Sequence, residues 1–430
     1  MLVEFNVQNV TSFNKNQVFS MLGSTATKED HIEQNTLNID KFGVGSILRS
    51  AALFGANASG KSNLIDSMKI LKHIVLDSLL TADSDTLDNL TPFILKKDFF
   101  DIPSELEVSF IKENILYKYG LSISNGEIGE EWLYCNKNIR ETKLFHRTGQ
   151  KLEFNLTSFS EASDFITKDE HGDLQVAKTK SNVPFISVLS QFDGEISKQV
   201  VGWFQDLRII SGTYDWGVKG YTLNKFDNDD EFKIWALEIL KHFQIEDVIV
   251  TDEDHETTDK DKSLNFTKKQ KVKKKRVEVL KKVSSEFSRT MPIEMESEGT
   301  QRMIYTLGPI YDVIKNNRVL IVDEFDSKFH TLLSKYLIGL FHKNNMGSSQ
   351  LIITTHDTNL LSKEVFRRDQ IWFVEKNDHH ESELFSLLEY KEHYTRKSSS
   401  YRKDYLDGKY GAIPLFDNEE SLEEAIHGEG

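Results

Sequence analysis

Polar and apolar residues alternate through the first fifty positions, with Val3, Phe5, Val7 and Val10 marking one face. That period of two predicts antiparallel strands with a single buried side. A short unbroken apolar run at 51–54 (AALF) follows and reads as a buried strand. At Lys61 the spacing changes: Leu64, Met68, Leu71, Val75 and Leu79 recur at helical intervals. Strand patterns return between 105 and 154 as EVSFI, LYKYGLSI and EWLYC, punctuated by turn formers such as Ser124-Asn125-Gly126. With the first segment they predict a β-rich lobe.

From 157 to 283 the periodicity is mixed, with a helix expected near 232–243 and a strand near 246–250. No repeat or sustained heptad pattern runs through it, so a long coiled-coil arm is not expected. After Ser297 a regular strand and helix alternation resumes. Three apolar runs, 318–322 (RVLIV), 351–355 (LIITT) and 371–375 (IWFVE), look like parallel strands buried on both faces. Ligands in such sheets gather at the carboxyl ends of strands, so the polar residues closing these runs should converge on one site. The fold class is therefore α/β, a β-rich lobe with a parallel-sheet lobe. We divide the chain as 1–156, a long α+β insertion at 157–285, and 286–430. Gly308-Pro309 is expected to kink the helix that begins after Ser297.

Composition narrows the class without naming it. With 38% hydrophobic and 28% charged residues the chain is an ordinary globular protein. Its one cysteine, Cys135, rules out an internal disulfide framework and fits a reducing compartment. The start, MLVEFNVQNV, has no basic and apolar leader pattern, and no stretch approaches a membrane span, so a cytoplasmic location and no membrane partner are expected. A net charge of −15 argues against general nucleic-acid affinity but leaves room for a local basic groove. The one strong candidate runs from Lys268 to Lys282, nine Lys or Arg directly after an acidic stretch at 252–261. It reads either as a DNA or RNA contact or, preferably, as a solvated hairpin whose halves pair by charge.

The candidate chemistry begins between the buried strand and the helix, where Gly55-Ala-Asn-Ala-Ser-Gly60-Lys61-Ser62 matches the P-loop pattern in full. A strand, a Gly-rich turn and a helix N-terminus are what a phosphate cradle needs. Gly55, Asn57, Ser59, Gly60, Lys61, Ser62 and Asn63 are the expected nucleotide contacts, with Lys61 on the β- and γ-phosphates and Ser62 on Mg²⁺. Asp323 closes an apolar strand as a Walker B carboxylate would, again on Mg²⁺, and Glu324 beside it could act as general base toward water. Simple helix capping is the alternative for that pair. His356, at the end of the next apolar run, suits a γ-phosphate sensor or a water-orienting group. Asn224-Lys225-Phe226-Asp227 matches a guanine-recognition pattern but closes no apolar strand, and reads as a surface turn.

Glu296-Ser297-Glu298-Gly299-Thr300-Gln301-Arg302, just before a helical pattern, resembles the LSGGQ signature of ABC-type ATPases; Ser297 and Gly299 match, whereas Glu296 and Glu298 depart from it. Asp326-Ser327 resembles the D-loop of the same superfamily, and His330 follows it. On these residues the chain resembles ABC-class ATPases of the SMC, RecF and OLD-type branch, with an ABC-type head of β-rich and RecA-like lobes. GANASGKSN, ESEGTQR, VLIVDEFDSKFH, TTHDTNLL, RRDQIWFVEK and the late YLDGKYGAIP are similar, more narrowly, to the ATPases of RloA, AbiL and PARIS abortive-infection systems. The resemblance implies a homodimer or higher oligomer that sandwiches ATP and Mg²⁺, each site joining one subunit's P-loop to the other's Ser297 and Gly299, with Asp326 at the interface. About 55 residues follow the last expected strand, too few for the Toprim nuclease of OLD-type relatives, so a separately encoded effector, such as a Toprim-type nuclease or an RloB-like chain, is expected. The implied function is an anti-phage switch. The alternative is a RecF- or SMC-like DNA-maintenance ATPase that uses the run from Lys268 to Lys282. A transporter subunit is disfavoured by the roughly 235 residues between P-loop and signature.

Overall fold

The computed structural model describes residues 1–24, 32–80, 85–97, 102–211, 216–261, 266–284, 287–344, 347–390 and 400–414. The opening alternation forms the strand Leu2–Gln8, in which Phe5 and Val7 are buried and Glu4, Asn6 and Gln8 half-buried. It pairs antiparallel with Gln17–Ser20 on one side and Ser104–Lys112 on the other. From there the sheet runs through Ile115–Ser124, Glu127–Asn136, Glu141–Thr148, Lys151–Phe154, Leu174–Val176 and Ile166–Lys168, nine strands in all. The expected turn at Asn125-Gly126 is a two-residue hairpin with both residues at positive φ, 52° and 72°. Such turns twist with the strands they join.

The fully apolar runs build a second sheet. Its order is Arg208–Ser211, Val319–Asp323, Gln350–Thr354, Ser50–Phe54, Ile371–Lys376 and Ser382–Ser386; the first five strands are parallel and the last antiparallel. All five residues of Ser50–Phe54 are buried. The helix Lys61–Asp77 packs on strands of both sheets, burying Leu64, Ile65, Met68, Leu71, Ile74 and Val75. Each such side chain stabilises the fold by about 1.5–3 kcal/mol. Leu79, expected on that face, is 38% exposed because the helix ends at Asp77. The combination expected for an ABC-type head, a β-rich antiparallel sheet and a parallel RecA-like sheet, is thus present.

Inside this first unit (1–211, 317–326 and 331–430) lies an ion pair that no sequence pattern announces. Glu131 and Arg147 are fully buried, 3.4 Å apart. Glu131 also accepts from the amides of Phe185 and Ile186, at 2.7 and 3.0 Å, where the helix Phe185–Gln191 begins, and from the Tyr119 hydroxyl. Arg147 donates to the carbonyls of Gly149, Val183 and Lys180. Buried charges persist only when partnered in this way.

Residues 212–316 and 327–330 form the second unit. Asp229 caps the helix Asp230–Leu240 by accepting from the Phe232 amide at 2.9 Å. Asn224-Lys225-Phe226-Asp227, expected as a surface turn, lies instead on the helix Trp216–Asn228. Phe226 is buried against Phe232, with ring centroids 4.8 Å apart, and Lys225 pairs with Asp229 at 2.9 Å, so core packing overrides the turn-forming residues. The charged segments form the hairpin Ile245–Asp261 and Phe266–Lys282, with Ser288–Pro292 on the second strand's other edge. Its register sets Lys275 across from Asp252, Lys274 from Glu253, Lys273 from Asp254, Lys271 from Glu256 and Lys268 from Asp259.

The helix Glu298–Asn316 runs on through Pro309, the position at which the kink is expected. Proline cannot donate to the carbonyl four residues back, that of Tyr305. The buried Thr222 hydroxyl, from the helix Trp216–Asn228, donates to that carbonyl instead.

Candidate nucleotide-binding site

The strand Ser50–Phe54 delivers the chain into Gly55 at φ 154°, where a Cβ would lie 2.3 Å from the Val374 carbonyl oxygen on the neighbouring strand. Only glycine tolerates so close a backbone. The loop turns through Ala58, at φ 60°, to Gly60, which precedes the first turn of the helix Lys61–Asp77. Lys61 Nζ donates to the carbonyls of Gly55 and Ala56, both at 2.9 Å, so its side chain lies along the loop. Burial pulls the Lys61 pKa down to about 8, against the upward pull of Asp323, Asp326 and Glu324. Ser382 Oγ braces the loop at the Ser59 carbonyl, 2.6 Å away, and at Ser12 Oγ, 2.7 Å away; Asn63 Nδ2 donates to the same Ser12 oxygen at 2.7 Å. Ser59 Oγ is buried without a hydrogen-bond partner among the described residues, a donor suited to an anionic oxygen.

Asp323 and Glu324 close the strand Val319–Asp323, which is separated from the P-loop strand by Gln350–Thr354. Thr354 Oγ1 donates to Asp323 Oδ1 and accepts from the Glu324 amide at 2.7 Å. The Asp326 carboxylate accepts from the His356 amide, at 3.2 and 3.3 Å to its two oxygens. Burial first, and then the Lys61 charge, lower the His356 pKa. A neutral imidazole keeps one donor and one acceptor nitrogen.

These parts meet in a cavity of about 460 Å³ lined by residues 57–63, Glu324, Thr354, His356 and Lys376. The P-loop, the end of the Walker B strand and the histidine that closes the next apolar run therefore share one space, at the carboxyl ends of parallel strands. Among the described residues no group of three His, Cys, Asp or Glu could cage a metal ion. A serine hydroxyl and a carboxylate, Ser62 and Asp323, are the hard oxygen donors that fit Mg²⁺, which takes few protein ligands and completes its shell with phosphate and water.

The signature segment sits in the second unit. Ser297, exposed, caps the helix Glu298–Asn316: its Oγ accepts from the Thr300 amide at 3.2 Å. A Cβ on Gly299 would meet the Lys328 carbonyl oxygen at 2.7 Å, so the backbone at Lys328 passes directly over the start of this helix. Glu298 and Lys328 pair at 2.8 Å, and the Arg302 guanidinium lies 4.4 Å from the Phe329 ring centroid.

Sequence reasoning missed Ser12, Ser382, Thr354 and Lys376. Thr354 and Lys376 end parallel strands, so the rule that strand-closing polar residues converge could have found both. Ser12 and Ser382 brace the loop from distant segments with no local pattern. No helix among the described residues is long and apolar enough to cross a membrane.

No curated protein matches the chain. It is similar to the solved SMC head domain from Thermotoga maritima, at 14% identity over 90% of this chain and 98% of that one, with a TM-score of 0.40. It is also similar to an SMC head bound to the C-terminal winged-helix domain of ScpA, at 13% identity, 90% and 97% coverage and a TM-score of 0.45. A family model described as "AAA domain, putative AbiEii toxin, Type IV TA system" matches residues 50–362, from the first residue of the P-loop strand to just past His356. That span is well over half of the chain, which therefore belongs to this family of AAA-domain ATPases.

Proposed function

We propose that the protein binds and hydrolyses ATP as the switch subunit of a bacterial anti-phage abortive-infection system, closing as a dimer around ATP and controlling a separately encoded effector. The observation that carries the ATPase reading is the single cavity that joins residues 57–63 to Glu324 and His356. The P-loop amides and Lys61 bind the phosphates, Glu324 takes a proton from the attacking water, and His356 orients the γ-phosphate or that water. Mg²⁺, on Ser62 and Asp323, would neutralise charge on the β- and γ-phosphates. The toxin–antitoxin wording of the family description supports the defence setting.

The dimer reading is supported by the exposed Ser297 at a helix N-terminus, a site that favours anionic groups. Asp326 and the segment after it would then lie at the interface. Light scattering of an E324Q protein with and without ATP tests it; a monomer in both conditions would remove the composite site. Phage challenge of cells carrying K61A tests the setting, and unchanged protection would discard the defence role. Salt-sensitive, ATP-dependent duplex binding would instead favour DNA maintenance.

A further inference from the structure

We infer that Thr354 is a positioning residue that holds Asp323 and Glu324 in working geometry, an inference that rests on the ATPase reading of this cavity. The ladder between Val319–Asp323 and Gln350–Thr354 reaches Val322 opposite Ile353, so the next pair along it is Asp323 and Thr354. There the chain leaves the ladder, because Glu324 turns into the left-handed region at φ 50°. A residue with a Cβ stays in that region only when its surroundings hold it.

Thr354 supplies the hold at three successive residues. Its hydroxyl donates to Asp323 Oδ1, the same oxygen accepts from the Glu324 amide at 2.7 Å, and its carbonyl accepts from the Phe325 amide at 2.9 Å. A hydroxyl can donate to a carboxylate while accepting from an amide; a valine of the same shape can do neither. The residue is 1% exposed, which leaves little room for water to take over either bond. Engaging Oδ1 orients the Asp323 carboxylate, and anchoring the next two amides fixes the direction in which the Glu324 side chain leaves the strand. Thr354 and Glu324 both line the cavity.

The test compares T354V and T354S with the wild-type protein. T354V should lose about 10- to 100-fold in kcat, the effect of one hydrogen bond to a charged group. At saturating Mg²⁺ its affinity for a fluorescent ADP should stay unchanged, while the Mg²⁺ concentration at half-binding rises severalfold. T354S, which keeps the hydroxyl, should restore both kcat and the Mg²⁺ midpoint. Wild-type kcat and Mg²⁺ midpoint in T354V would overturn the role of Thr354 alone, and so would a T354S protein as slow as T354V. A wild-type protein that neither binds nor hydrolyses ATP would overturn the ATPase reading, and the role of Thr354 with it.

Discussion

Lys61 should make nucleotide binding consume protons at mildly alkaline pH. Burial lowers its pKa from 10.5 to about 8 despite three nearby carboxylates, and its Nζ is held by two carbonyl oxygens, which are weak partners for a full charge. With that value about half of the lysines are neutral at pH 8, and about nine-tenths at pH 9. Phosphate oxygens at Nζ favour the charged form, so the bound lysine regains its proton. Binding of ADP, whose phosphates are ionised by pH 8, should therefore take up about 0.5 proton at pH 8 and 0.9 at pH 9. The sign follows from the depressed pKa: affinity is full below about 8 and is lost as pH rises through it, approaching tenfold per unit above about 9. Titration calorimetry at fixed pH in two buffers of different ionisation heat reads the uptake directly. Lys72, also lowered to about 8, donates to the Leu207 carbonyl and does not line the cavity, so it titrates alike in free and bound protein. Buffer-independent heats at pH 8, with flat affinity from pH 7 to about 9.5, would refute the reasoning.

E324Q should bind ATP with little change and lose about 100-fold or more in kcat, the contribution of a general base; normal turnover would take Glu324 out of that role. G299A forces a Cβ to within 2.7 Å of the Lys328 carbonyl and should cost about 1–3 kcal/mol, seen as a lower Tm. An unchanged Tm would show that the backbone there yields freely. R147M leaves Glu131 buried without its cation and should cost about 3–5 kcal/mol in denaturant unfolding, with partial recovery in the R147M/E131Q double variant. Additive losses in the double variant would contradict the pairing.

The parts of the fold legible in the sequence were those whose pattern is local. Residues 51–54, the periodic helix after Lys61 and the three late apolar runs each announce themselves through burial on one or both faces, and the structure places them in one sheet or against it. The block from 157 to 283 was opaque because its partners are far away in sequence. Glu131 is satisfied by amides more than fifty residues downstream, and Tyr305 by a hydroxyl eighty-three residues upstream. The structure also divides that block, placing residues up to 211 in the first unit and the rest in the second. Motif letters singled out residues 57–63, Glu324 and His356, which line one cavity, but not Ser12, Ser382 or Thr354, which hydrogen-bond to groups around it. Such residues follow from three-dimensional adjacency, which no spacing rule encodes.

The departure at Glu298 from the LSGGQ pattern makes physical sense once its neighbours are known. Ser297 is required by the cap it makes, and Gly299 by the carbonyl that passes 2.7 Å from its missing Cβ. Position 298 faces neither demand, and a carboxylate there suits the positive end of the helix. Under the dimer proposal, however, that carboxylate would lie beside a partner's triphosphate, and like charges repel. Lys328, 2.8 Å away, is placed to cancel it. Since the pair is largely exposed, it adds at most about 1 kcal/mol to folding, so its effect should appear in assembly rather than in stability. In an E324Q background, K328A should weaken ATP-dependent dimerisation severalfold with its Tm nearly unchanged, and K328A/E298A should restore it. Sedimentation at a series of ATP concentrations separates the outcomes. A double variant as weak as K328A would mean that Lys328 acts on the nucleotide or the partner directly rather than by neutralising Glu298.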